Sequence, residues 1–169
     1  MRKLTWIFVL TVLAAGISSC IKSIDYAAQE KKERDDFIAK NGITEPPKAS
    51  GLYYIPQDSG TGLQPGTGDT VRINFIASRL NLVIFDTNIE EIARQNGIWM
   101  PDRVYEPLRF IVGDKSVIDG VDEGVKYMKE GGNAMLIIPS ELAYQNYETV
   151  LFYVELVDVL PAYDTSAVR

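Results

Sequence analysis

The run from Val117 to Gly132, VIDGVDEGVKYMKEGG, decides how this chain is read. Val117, Ile118, Val121, Val125 and Met128 recur at three- and four-residue steps and lay one apolar stripe along a helix. Asp122, Glu123, Lys126 and Lys129 fall on the other side. Acidic Asp119, Asp122 and Glu123 lead and basic Lys126 and Lys129 follow, the order a helix dipole favours, and Gly131-Gly132 ends the helix. A helix this short is marginal alone in water, so its stripe needs a surface to cover it. The flanking segments read as strands, which makes a curved sheet the expected partner and core packing the plain role of the stripe.

The start of the chain is of another kind. Arg2 and Lys3 precede an almost wholly apolar run from Leu4 to Ile17, and Ser18-Ser19 lead to Cys20, the only cysteine in 169 residues. A run this short reads as an export signal over residues 1–19 rather than a membrane span. Its Ile-Ser-Ser-Cys ending resembles the lipobox of bacterial lipoproteins. That resemblance implies lipidation of Cys20 and a cell-envelope protein anchored to a bacterial membrane, on its periplasmic or outer-membrane face. Removing residues 1–19 takes away two of the 17 basic residues and none of the 23 acidic ones, leaving a net charge of about −8. An acidic chain of this kind is a poor partner for nucleic acid. One thiol excludes an internal disulfide. With no histidine, no zinc site is expected, and serine–histidine and cysteine–histidine catalysis are excluded.

From Ile21 to Lys40 the chain is charged, with KKERDD at its centre and only Ile24, Ala27, Ala28, Phe37 and Ile38 as a thin apolar stripe. Residues 20–50 therefore read as a tether: a solvated helix ended by Asn41-Gly42, then a stiff linker around Pro46-Pro47. A first strand, GLYYI, is cut off by Pro56. The glycine-rich loop that follows lacks phosphate-binding spacing, and no helix comes after it. Val71, Ile73, Phe75 and Ala77 alternate with polar residues as a half-buried strand, and Leu82 to Asp86 returns as the second arm of a hairpin. Thr87-Asn88 are placed to cap a short helix, IEEIARQNG. Further strands are expected over Leu108–Val112, Asn133–Pro139 and Thr149–Leu160, with a loose tail over 162–169. Short strands around one central helix make an α+β domain with a mainly antiparallel sheet.

Five ordered pieces, VRINFIAS, VIFDT, PLRFIVGDKSVIDGVDEGVKYMKEGG, AMLIIPSELAY and LFYVELVDV, resemble the FKBP family of peptidyl-prolyl isomerases across residues 51–161. The resemblance implies an antiparallel sheet of five or six strands wrapped round one short helix, with a proline pocket between them. It places Phe75, Phe85, Leu108, Val117, Ile118, Tyr144 and Phe152 on the pocket wall, Val121 beneath them, and Asp86 as the pocket carboxylate. The Ile118 N–H and the Tyr144 hydroxyl would hold the substrate's carbonyls. The implied partners are proline-containing polypeptides; no metal or cofactor is needed, and a monomer is expected. Strict alternation would send Phe85 and Asp86 to opposite faces, so both serve the pocket only if the strand bulges there.

Several positions depart from the family. Val121 stands where a tryptophan is usual, and Phe75 where a tyrosine is usual. Only seven residues separate Tyr144 from Phe152, too few for the usual apolar lip. The stretch from Asp86 to Leu108 is longer than usual and carries Trp99, Met100 and Tyr105. Two readings follow. Either the insertion replaces the lip, giving a weak isomerase or one of altered specificity, or Trp99 or Tyr105 fills the space above Val121, leaving a non-catalytic binding or scaffold lipoprotein. The plain roles of Asp86 and Tyr144 are a turn or helix-capping carboxylate and a core tyrosine.

Overall fold

The computed structural model describes residues 24–162. The expected signal segment, Cys20 and residues 163–169 lie outside the described residues. The chain runs α1 (Tyr26–Lys40), β1 (Tyr53–Asp58), β2 (Thr70–Arg79), β3 (Ile84–Thr87) and α2 (Glu90–Gln95). It continues with β4 (Leu108–Ile111), α3 (Asp119–Val125), β5 (Asn133–Ile138), a 3-10 turn at Ser140–Leu142 and β6 (Val150–Leu160).

Alternating apolar residues make β2 and β6 the centre of one antiparallel sheet, paired from Thr70 opposite Leu160 to Arg79 opposite Val150. Val71, Ile73, Phe75 and Ala77 face inward from β2, as do Phe152, Val154 and Leu156 from β6. Val157 is an extra residue in the β6 ladder, and this bulge brings Val159 back to the inner face. β5 and then β1 extend one side. On the other side β3 and β4 both pair with β2, one after the other along the same edge. The result is the expected α+β fold, six antiparallel strands curved round α3.

Pro56 does not cut β1 off; the strand continues to Asp58. β1 pairs only with β5, and a proline without an N–H is tolerated on such an edge. The central helix is also shorter than the stripe suggested. Ile118 is its N-cap, with extended backbone (φ −61°, ψ 145°), and regular helix ends at Val125. Beyond it, the N–H groups of Lys126, Tyr127 and Met128 each bond three residues back, and that tightening keeps Met128 in the core. Gly120 and Gly124 lie one turn apart, where a Cβ would overlap Ile138 and Leu136 of β5. The glycines shorten the helix by their poor propensity and let its backbone rest on the sheet. Asp122 belongs to the interior, not the polar side: it is 5% exposed, accepts the Gly113 N–H at 2.6 Å and pairs with Lys126 at 2.7 Å.

The stretch expected as a tether contains a docked helix. Phe37 and Ile38 of α1, with Ile43 beyond it, cover Ile55, Ile137 and Leu151 on the outer face of the sheet. Asp25 caps α1 by accepting the Ala28 N–H at 3.0 Å. Glu30 is buried, and its Oε1 accepts the Ser140 N–H (2.8 Å), the Thr149 hydroxyl (2.7 Å) and Arg34 (3.3 Å). Among the described residues no helix is long and apolar enough to cross a membrane.

Removing that acceptor orphans two buried donors and an arginine. Glu30→Ala is expected to destabilise the fold by about 2–4 kcal/mol, read as a lowered urea midpoint. An unchanged midpoint would mean that α1 is not fastened through Glu30.

Candidate active site

The inner face of the sheet and the start of α3 enclose a cleft of about 440 Å³. Val121, 2% exposed, lies beneath it, and Phe75 and Phe152 stack beside each other with ring centres 5.7 Å apart. Val117 and Ile118 form the opposite wall, Leu108 a half-open side, and Asp86 and Tyr144 the rim. Ile73, Lys115 and Ser116, not singled out from the sequence, complete it. Eight of the nine expected site residues therefore converge. The ninth, Phe85, is displaced: it lines an adjoining depression and packs edge-on to Tyr144 at 6.2 Å.

The backbone explains how Asp86 gets there. Asp86 is opposite Ala77 and Ile84 opposite Ser78, so Phe85 is an extra residue in β3. This is the bulge that alternation required, and it lets neighbouring side chains serve adjoining hollows. Asp86 is no helix cap: α2 begins after Ile89 without a side-chain cap. Its Oδ1 accepts the Thr87 N–H at 2.8 Å and Arg103 Nη1 at 2.5 Å. Arg103 comes from the insertion, so the sequence order gave no sign of this pairing.

Two donors on residues that line the cleft have no protein partner among the described residues. The Ile118 carbonyl accepts from Val121 and Asp122 to begin α3, while its own N–H bonds to nothing. As the N-cap, Ile118 keeps extended backbone, which leaves that N–H outside the helix ladder. Tyr144 is 49% exposed with its hydroxyl unengaged, which removes the core-tyrosine role. Partial burial, and then the negative charge of Asp86, hold its hydroxyl above the ordinary tyrosine pKa.

The insertion leaves the cleft open. Trp99 donates Nε1–H to Glu90 at 3.2 Å and lies under the Arg94 guanidinium at 4.0 Å, so it packs on α2. The Tyr105 hydroxyl accepts the Met100 N–H at 3.0 Å. Neither ring lines the cleft above Val121. The insertion is pinned instead by Asn88, 6% exposed. Asn88 Oδ1 accepts the Phe75 N–H at 2.8 Å, and Nδ2 donates to the carbonyls of Ile73 and Glu106, each at 2.9 Å. Thr87 also turns inward, donating to the Phe75 carbonyl at 2.6 Å. The expected Thr87-Asn88 helix cap is corrected accordingly: both side chains satisfy β2 where the neighbouring strand breaks.

A sheet curved round one helix, with an aromatic-walled cleft between them, defines the FKBP-like class of α+β folds. Residues 62–157 match the family model for FKBP-type peptidyl-prolyl cis-trans isomerase, and the chain belongs to that family. It is 32% identical over 146 residues to the FKBP-type isomerase FkpA of Escherichia coli, covering 82% of this chain and 48% of that one. The crystal structure of FkpA superposes with a TM-score of 0.62 at 33% identity, covering 82% of this chain and 61% of that chain. A short-type isomerase of Methanocaldococcus jannaschii is 43% identical over 77 residues, 46% of this chain and 48% of its own. The outer membrane protein MIP of Legionella longbeachae is 28% identical over 149 residues, 80% of this chain and 57% of its own. The chain thus spans about half the length of the relatives it matches.

Asn88→Asp keeps the shape of the pin but sets a carboxylate oxygen against two carbonyls. It is expected to cost roughly 2–4 kcal/mol in urea denaturation and to loosen residues 88–106 in hydrogen exchange. Full protection of that segment in the variant would deny Asn88 its role.

Proposed function

We propose that this chain catalyses cis–trans isomerisation of Xaa–Pro bonds in polypeptides of the cell envelope. The observation that carries the reading is an unengaged Ile118 N–H at an apolar cleft whose rim holds Tyr144 and Asp86. The reaction needs no bond broken. An amide resists rotation by ~18–20 kcal/mol because resonance keeps it planar. The twisted amide has lost that resonance and much of its charge separation, so an apolar cleft favours it over the planar form. Phe75 and Phe152 grip the proline ring above Val121. The Ile118 N–H and the Tyr144 hydroxyl hold the flanking carbonyls, so their hydrogen bonds strengthen as the amide twists. Asp86, held by Arg103, acts on the amide electrostatically from the rim.

The short loop after Tyr144 and the small Val121 make the cleft shallowly closed, which favours altered specificity or a modest rate over a tightly gripped substrate. The lipobox-like ending before Cys20 supports lipid anchoring in the envelope, and a relative that bears the name of an outer membrane protein fits that placement. The proposed substrates are extended chains exposing proline.

Exchange spectroscopy on a set of Xaa-Pro peptides tests the activity. Acceleration is expected, with kcat/KM lowered about threefold to tenfold by Tyr144→Phe and about tenfold or more by Asp86→Ala. No acceleration on any peptide would sink the reading. The neutral Tyr144 hydroxyl is the donor and its pKa is raised, so the alkaline loss of activity should fall above the ordinary tyrosine value of about 10. Anchoring is checked separately: incorporation of an alkyne-tagged fatty acid in bacteria should vanish on Cys20→Ser, and incorporation that persists would remove Cys20 as the site.

A further inference from the structure

The loop that carries Tyr144 has little of its own to hold it. Every residue from Tyr144 to Glu148 is exposed, so core burial does not fix its course. Gln145 (φ 56°) and Tyr147 (φ 62°) lie in the left-handed region. Residues with a Cβ rarely enter that region and stay there only where their surroundings impose it. Here the surroundings are hydrogen bonds that converge on one residue. The Ser140 carbonyl accepts the N–H of Ala143 at 3.1 Å and that of Gln145 at 2.9 Å, on either side of Tyr144. The Ser140 hydroxyl accepts the Tyr147 N–H at 2.7 Å.

Ser140 is in turn held by α1. Its N–H and the Thr149 hydroxyl, at the two ends of the loop, both donate to Glu30 Oε1, at 2.8 and 2.7 Å. Glu30, Ser140 and Thr149 are all buried. Breaking either bond would orphan a buried group, so both ends stay fastened. Arg34, one turn further along α1, pairs with the same oxygen at 3.3 Å. At the start of the helix Tyr26 packs on Tyr147, with ring centres 5.8 Å apart. A helix outside residues 62–157, the stretch that matches the family, thus clamps the loop.

A hydrogen bond weakens steeply once its angle falls below ~120°, so the Tyr144 hydroxyl can hold a carbonyl only if its loop keeps it aimed. The Tyr144 ring meets Phe85 edge-on, with centres 6.2 Å apart, and that contact moves with the loop. We infer that Glu30 is a positioning residue for the reaction: from α1 it fixes both ends of the loop and so places the Tyr144 hydroxyl at the cleft. The inference rests on the reading of Tyr144 as a donor to a substrate carbonyl. It makes α1 part of the working site rather than a tether to it.

A double-mutant cycle on the intact protein tests it, with exchange spectroscopy on Xaa-Pro peptides and near-ultraviolet circular dichroism to establish folding. Glu30→Ala should lower kcat/KM about threefold to tenfold, no more than Tyr144→Phe does, because it acts through that hydroxyl. Glu30→Gln, whose amide oxygen still accepts from Ser140 and Thr149, should restore activity to within about twofold of wild type. In the Tyr144→Phe background Glu30→Ala should cost less than about twofold more, since coupled residues do not add. Losses that multiply in the double variant, no rescue by Glu30→Gln, or wild-type activity in folded Glu30→Ala would each overturn the inference. The ring signals of Tyr144 in carbon–proton NMR, displaced by the neighbouring Phe85 ring, separate it from the reading beneath it. Signals that lose this displacement in Glu30→Ala retain the positioning role even if no peptide is isomerised. Unmoved signals reject that role even where isomerisation is found. Thr149→Val removes one of the two donors and keeps the shape, and it serves for the same ring-signal comparison where Glu30→Ala does not fold.

Discussion

The edge of β2 sets the terms for this molecule. A strand in the middle of a fold must find partners for every backbone N–H and carbonyl, because a buried group left unpaired costs about as much as a lost hydrogen bond. β6 satisfies one side of β2 along its whole length. The other side has only two short strands, β3 and β4, with a gap between them at Ile73 to Phe75. The Asn88 side-chain amide fills the gap, with an acceptor for the Phe75 N–H and a donor for the Ile73 carbonyl. One residue thus does locally what a strand would do. Because it does, the chain is free to leave the sheet between β3 and β4 and return with α2, Met100 and Arg103 in between. Asp86 owes its partner Arg103 to that excursion.

A second constraint acts from the helix side. Gly120 and Gly124 have no Cβ to hold α3 off β5, so the helix backbone rests against Ile138 and Leu136. The close approach seats α3 on the sheet, with Val121 beneath the cleft. The same helix start leaves a backbone donor outside the helix ladder. Ile118 must stay extended to let α3 begin after it, and a residue in that state has an N–H with no place in the helix ladder. Val117 and Ile118 thus give the cleft wall both its apolar surface and a backbone donor unpartnered among the described residues.

Much of this was legible in the chain itself, because period and order carry it. The alternation in β2 and β6 and the stripe through Val121, Val125 and Met128 reported the core, and the ordered motifs reported the family and eight residues that line one cleft. What escaped was what depends on contacts between distant residues. Asp122 looks solvent-facing by helical period, yet the Gly113 N–H draws it inside. Glu30 sits in a charged run whose composition suggests a free helix, and only its three partners, Ser140 and Thr149 among them, reveal a docked one. Thr87-Asn88 read well as a helix cap because the same polar side chains satisfy any nearby backbone, and here the backbone was that of β2. Arg103 carried no local signal: it stands 17 residues from the carboxylate it pairs with.

The pairing of Arg103 with Asp86 bears directly on what the rim can do. A bare carboxylate beside an apolar cleft would be costly to desolvate when a substrate covers it. The guanidinium lowers that cost and fixes the carboxylate's orientation, but it also reduces the field that Asp86 exerts on a bound amide. The insertion that supplies Arg103 therefore tempers the electrostatics of the rim. Arg103 lines the adjoining depression, committed to Asp86 on one side and lying over the Tyr105 ring on the other. With that charge spoken for, what the cleft itself offers is apolar surface, through Phe75 and Phe152 above Val121.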